Sequence, residues 1–64
     1  MTWNFVIEAR KVGEIGNFYP IRLENVFFHA KTTEEAKIKL FESAYTDEYE
    51  INNVLSVSPV SRSD

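Results

Sequence analysis

Trp3, Phe5, Ile7 and Ala9 alternate with Asn4, Val6, Glu8 and Arg10. Side chains two residues apart share a face only in an extended strand, so residues 3–12 are expected to form one with a buried side and a wetter side. A strand of that kind needs sheet partners, and the chain is committed to a sheet from its first residues. Gly13-Glu14-Ile15-Gly16-Asn17 follows, and glycine and asparagine enter positive φ at the least steric cost. This stretch is expected to turn the chain back as a hairpin.

Residues 18–31 are rich in aromatic and β-branched types, which marks a second strand, but their phase breaks. Ile21 and Leu23 have one parity and Val26, Phe28 and Ala30 the other, with Glu24-Asn25 between. A β-bulge there would return both sets to one face, and without it one set points away from the core. Pro20 has no amide hydrogen to give a ladder, which places this strand at a sheet edge. Thr32-Thr33-Glu34-Glu35 then has the Thr-x-x-Glu pattern of a capping box with Thr32 as N-cap, and the two carboxylates sit where the helix dipole favours them. The helix is expected to bury Ala36, Ile38, Leu40, Phe41, Ala44 and Tyr45, to expose Lys39, Glu42 and Ser43, and to fray between Tyr45 and Asp47. From Ile51 the pattern becomes a third strand that Pro59 ends, with Ile51, Leu55 and Val57 on one parity and Val54 on the other.

The element order is β-β-α-β. A hairpin sets the second strand antiparallel to the first, and the helical crossover returns the third beside the first. The expected fold is therefore α+β, a three-stranded antiparallel sheet of order 2-1-3 with one helix on one face. The 64 residues leave room for one small domain, read as residues 1–64 with an ordered core over 3–58 and a flexible tail over 59–64. On folding, a chain of this size removes only about 60% of its surface from water. With no cysteine to staple it, dense packing or a partner must supply the rest. The missing thiols fit a reducing compartment. No basic region precedes an apolar core at the amino terminus, and the longest apolar runs are three residues, so the chain is read as cytoplasmic, with neither secretory signal nor membrane span.

Charge is unevenly spread. Residues 1–32 carry a net +1 and residues 33–64 a net −4, for −3 overall. From Glu42 through Glu50 there are four acids and no base, with Tyr45 and Tyr49 among them. Carboxylates along a helix end and loop imitate phosphates and suit a basic groove on a partner, although a solvated helix terminus has a similar composition. Glu42, Asp47, Glu48, Tyr49 and Glu50 are the first set of partner-binding candidates. The second set lies on the sheet face away from the helix, where Val6, Val54 and some of Ile21, Leu23 and Phe27 would form an apolar patch, with Val6, Phe27 and Val54 as its candidates, although apolar residues scattered between Glu8, Arg10, Arg22 and Glu24 would need no explanation. An edge strand pairing with its symmetry mate would make a homodimer.

Chemistry is sparse. His29 is the one imidazole and has no companion at metal-ligand spacing, so it is read as structural. Ser56, Ser58, Ser61 and Ser63 lie in a strand and tail without a nucleophile motif, and Gly13 and Gly16 precede a strand rather than a helix. The chain is read as non-enzymatic, without metal or cofactor.

The segment Trp3-Asn4-Phe5-Val6-Ile7-Glu8-Ala9-Arg10, a short turn, Phe28-His29-Ala30-Lys31-Thr32-Thr33-Glu34-Glu35-Ala36-Lys37 and a last strand through Val54 and Val57 resembles small phage-encoded proteins, among them anti-CRISPR proteins. The likeness spans roughly residues 3–57 and rests on a strand-to-capped-helix junction. It implies a host-directed inhibitor that occupies a surface of a protein. The same junction is similar to an archaeal large-subunit ribosomal protein family, which is basic and binds rRNA, unlike a chain of net charge −3. The expected function is thus a protein-binding module or small inhibitor. The alternative is a nucleic-acid- or ribosome-associated accessory domain, with Arg10, Lys11, Arg22 and Lys31 as its phosphate contacts.

Overall fold

A computed structural model describes residues 1–60. Strand β1, Thr2–Lys11, is the centre of the sheet and buries every second residue. Trp3, Phe5, Ile7 and Ala9 are all 2% exposed or less, while the intervening side chains are half-buried on the other face. Residues 12–18 turn the chain, with Gly13 at φ 91 and Gly16 at φ 135, a region that L side chains enter only with strain. Strand β2, Tyr19–Phe27, returns antiparallel along one side of β1 and forms an edge, with Pro20 opposite Glu8.

The phase break in β2 is a bulge. Val26 lies opposite Trp3 and Leu23 opposite Phe5, so three steps on β2 match two on β1. Asn25 takes φ 57 and its amide donates to Asn4 Oδ1 at 3.0 Å. Asparagine is among the residues that tolerate this left-handed conformation. Leu23 and Val26 therefore both reach the core, at 7% and 6% exposure, and Ile21 packs against it. Of the apolar patch expected on the far face, Leu23 and Ile21 are thereby removed.

Phe28 meets Phe5 edge-on at 5.9 Å, and Ala30 is buried beside the helix start. Helix α1 runs Thr33–Phe41. Its N-cap is Thr32, whose hydroxyl oxygen accepts from the Glu35 amide at 3.2 Å, which is one of the two bonds of a capping box; the Glu35 carboxylate does not return the other to the Thr32 amide. The helix is shorter than the sequence pattern implies. It stops at Glu42, and a separate turn, α2, follows at Tyr45–Glu48. Ser43 makes the break inexpensive, because its hydroxyl donates to the Leu40 carbonyl at 2.6 Å and accepts from the Tyr45 amide at 3.3 Å. Only Ala36 and Leu40 of α1 are buried, while Ile38 and Phe41 are more than half exposed. Ile38 lies about 200° round the helix from Ala36, so a nine-residue helix resting on Ala36 and Leu40 must leave it in water.

Strand β3, Tyr49–Pro59, pairs antiparallel with the other side of β1 and completes the order β2-β1-β3. It is the longest strand, and its eleven residues would span about 36 Å in a molecule 42 Å long. Its register shifts twice. Ser56 faces Val6 but Val54 faces Ile7, and Asn53 faces Glu8 but Ile51 faces Ala9, so Leu55 and Asn52 are the extra residues. Ile51, Val54 and Val57, spaced by three, all pack against the core in consequence. Val54 is therefore not on the far face, because simple alternation fails across a bulge. The core begins at Trp3, Pro59 is the last residue of β3, and the Val60 amide donates to the Thr2 carbonyl at 2.9 Å. The rest of the tail expected to be flexible, residues 61–64, lies outside the described residues.

Candidate binding surface

The acidic stretch is gathered at the end of the sheet where the β1–β2 loop lies. Glu42 caps α1, Asp47 and Glu48 occupy α2, and Tyr49 and Glu50 begin β3. The loop and α2 are joined by the Val12 amide, which donates to the Glu48 carbonyl at 3.0 Å. Two open depressions flank α2. One, of about 530 Å³, is lined by Lys11, Val12, Asp47, Glu48 and Tyr49, and the other, of about 330 Å³, by Ser43, Ala44, Tyr45 and Glu48. Glu48 stands between them. Glu42, Asp47 and Glu48 are exposed and make no ion pair among the described residues. Among the described residues, Lys11 is the one cation lining either depression.

Glu50 and Tyr49 behave otherwise. Arg10 Nε donates to Glu50 Oε2 at 2.6 Å, Arg10 Nη1 donates to the Gly16 carbonyl at 2.6 Å, and the guanidinium lies 4.6 Å from the centre of the Phe18 ring. One arginine thus ties β3, β1 and the loop together, and its planar fork suits a carboxylate and an aromatic face at once. Glu50 is thus paired within the chain, although its side chain stays 52% exposed, and Arg10 is the partner that it shares with the Gly16 carbonyl. Tyr49 is half-buried and packs against the core, as does Tyr45.

On the far face of the sheet, Val6 is half-buried with Arg22 and Ser56 as its cross-strand neighbours. Phe27 is 60% exposed opposite Thr2 and meets His29 edge-on at 5.2 Å. Thr2 and Val6 are four steps apart on β1, about 13 Å along the strand, with Asn4 between. Phe27 and Val6 therefore do not adjoin, and Asn4, Glu8, Arg22, Glu24, Ser56 and Ser58 place polar groups along the same strands, while Leu55 at the β3 bulge is 50% exposed. The Asn52 side-chain amide donates to Glu8.

The loop presents residues that periodicity did not single out. Ile15 is fully exposed and Val12 is 59% exposed. The signal for Ile15 was present, since an isoleucine between two turn glycines has no core to face. At the start of β2 the Tyr19 hydroxyl donates to Glu14 Oε1 at 3.2 Å. Partial desolvation, then the charge of Glu14 and its acceptance of that bond, and last the Tyr49 phenol, push the Tyr19 pKa above its usual value.

Among the described residues no helix is long and apolar enough to cross a membrane, and no group of three or more His, Asp or Glu side chains is placed to hold a metal ion. Compared with protein-family models, with curated proteins and with solved structures, the chain has no significant match.

Proposed function

We propose that the protein is a small cytoplasmic, non-enzymatic binding module that acts by covering a basic surface of a partner protein, in the manner of the phage-encoded inhibitors that its sequence resembles. One observation carries this reading: Glu42, Asp47 and Glu48 are exposed, outside any ion pair among the described residues, and gathered about α2. Acidic side chains arranged this way steer a basic partner into contact and discriminate against acidic ones. The accessory nucleic-acid reading is disfavoured, because Arg10 is occupied by Glu50 and Gly16. Arg22 and Lys31 stand on different elements from Lys11, with Arg22 on β2 and Lys31 ahead of the helix. The bulges of β2 and β3 likewise disfavour a homodimer paired through the sheet edges.

Capture from the native host with the wild-type chain and with an Asp47→Asn/Glu48→Gln chain as paired baits tests the reading. A protein retained by the wild type, released as salt rises and lost from the double variant is the expected result. Equal retention by both baits overturns it, and retention abolished by nuclease favours the nucleic-acid alternative.

A further inference from the structure

We propose that the loop over residues 12–18 is a preorganised apolar finger. Its Ile15 enters an apolar pocket on a partner protein, and Asp47 and Glu48 meet lysine or arginine side chains around the rim of that pocket. The inference rests on the binding-module reading and adds the contact that would supply most of the affinity.

Exposure of one isoleucine is ordinary and by itself means little. What distinguishes Ile15 is that the loop around it is fixed by interactions that do not use it. The Glu14 amide donates to the Lys11 carbonyl at 3.0 Å and the Val12 amide to the Glu48 carbonyl at 3.0 Å. Arg10 holds the Gly16 carbonyl at 2.6 Å and stacks on Phe18, and Tyr19 holds the Glu14 carboxylate. Gly13 and Gly16 accept the positive φ values that the path needs, and neither would meet a neighbour if it carried a Cβ. Their role is therefore conformational. A loop so held has already met the entropic cost of ordering that binding otherwise imposes. Ile15 stands at its tip with its side chain wholly in water.

The chemistry of the partner follows from the surroundings. Val12, Asp47 and Glu48 line the same depression at the base of the finger, together with Lys11 and Tyr49, so an apolar residue stands among two acids and one base and the net charge there is negative. Interfaces of this layout place the apolar anchor in a desolvated pocket and the charges at the solvated edge. The matching surface is an apolar pocket rimmed by Lys or Arg. An anionic membrane would repel the same carboxylates, so a protein is the favoured occupant.

Selection of randomised twelve-residue peptides displayed on phage against the folded wild-type protein tests the proposal, followed by measurement of the enriched synthetic peptides on variants. Ile15 contacts nothing in the core, so Ile15→Ser should keep the wild-type melting temperature, which is checked first. The expected result is enrichment of peptides combining large apolar residues with Lys or Arg. Their affinity should fall about 10-fold to 100-fold on Ile15→Ser, the effect of withdrawing one aliphatic anchor, and their salt dependence should flatten on Asp47→Asn/Glu48→Gln. Peptides that bind Ile15→Ser as well as wild type but lose affinity on Asp47→Asn/Glu48→Gln overturn the finger and leave the acidic reading standing. Peptides indifferent to both variants overturn both. Ile15-dependent binding to phosphatidylcholine vesicles overturns the choice of a protein partner.

Discussion

Asn25 decides whether this sheet has a coherent buried face. With φ 57 and an amide bound to Asn4 Oδ1, it inserts the extra residue that brings Leu23 and Val26 to the same side. Replacing it with valine, whose β-branch clashes in the left-handed region, should lower unfolding stability by about 1–2 kcal/mol, whereas Asn25→Gly should stay within a few tenths of the wild type; urea denaturation of the two variants measures the contrast. Equal losses would mean that the Asn25 side chain, rather than its backbone angle, maintains the bulge. Tyr19 makes a second prediction at this scale. Its pKa is raised from 10.0 in the folded chain, first by partial desolvation and then by Glu14. The folded state holds the phenolic proton more tightly than the unfolded state does. The stability that this provides is intact below pH 10 and is lost as pH rises from there through the folded value. Ultraviolet titration of the phenolates should show a late-titrating tyrosine that disappears in Tyr19→Phe and shifts downward in Glu14→Gln. Both residues illustrate a limit of sequence reading. The phase break at Glu24-Asn25 could be seen in the order of residues, but the Tyr19–Glu14 contact needs the loop path.

The elements divide into those with local signals and those shaped by their neighbours. The capped start of α1 was legible because the Thr32 hydroxyl satisfies the Glu35 amide within one turn of chain, a purely local chemistry. The end of α1 was not, because Phe41, Ala44 and Tyr45 continue a plausible apolar pattern. The chain stops instead where Ser43 can bond both the Leu40 carbonyl and the Tyr45 amide. The resulting seam is narrow. Leu40→Ala should cost about 2–5 kcal/mol, a large share of the total for a domain this small, while Ile38→Ser and Phe41→Ser should remain within about 0.5 kcal/mol of wild type. Thermal or urea unfolding of the three variants checks this, and a large loss at Ile38 would show a wider buried face than Ala36 and Leu40 provide. In β3 the two bulges at Asn52 and Leu55 turn a strand of mixed parity into one with Ile51, Val54 and Val57 on the core side. Alternation alone misassigns Val54, since each extra residue reverses the phase of everything beyond it.

At the scale of the molecule, both outer strands depart from the straight, unbroken edge that strand addition requires. The β2 edge carries Pro20 and a bulge, and the β3 edge carries two bulges. Such edges resist pairing with another copy, so sedimentation at micromolar concentration should show a 7.4 kDa species; a species of twice that mass would mean that association uses a surface other than a regular edge or overcomes the bulges. The assembly also determines which acids are free. The run from Glu42 to Glu50 reads as one acidic stretch along the chain, yet folding gives Glu50 to Arg10, from the opposite strand forty residues away, and leaves Glu42, Asp47 and Glu48 outside such pairs among the described residues. The sequence by itself determined the alternating central strand, the glycine turn, the capped helix start and the order 2-1-3. Each of these follows from periodicity, φ preference or chain connectivity over a few neighbouring residues. Only the tertiary structure decided the bulge register of β3, the narrow seam of α1, the pairing of Glu50 and the meeting of the Ile15 loop with α2. Those depend on which backbone groups and side chains from distant parts of the chain come within bonding distance, and that is settled by packing across the sheet.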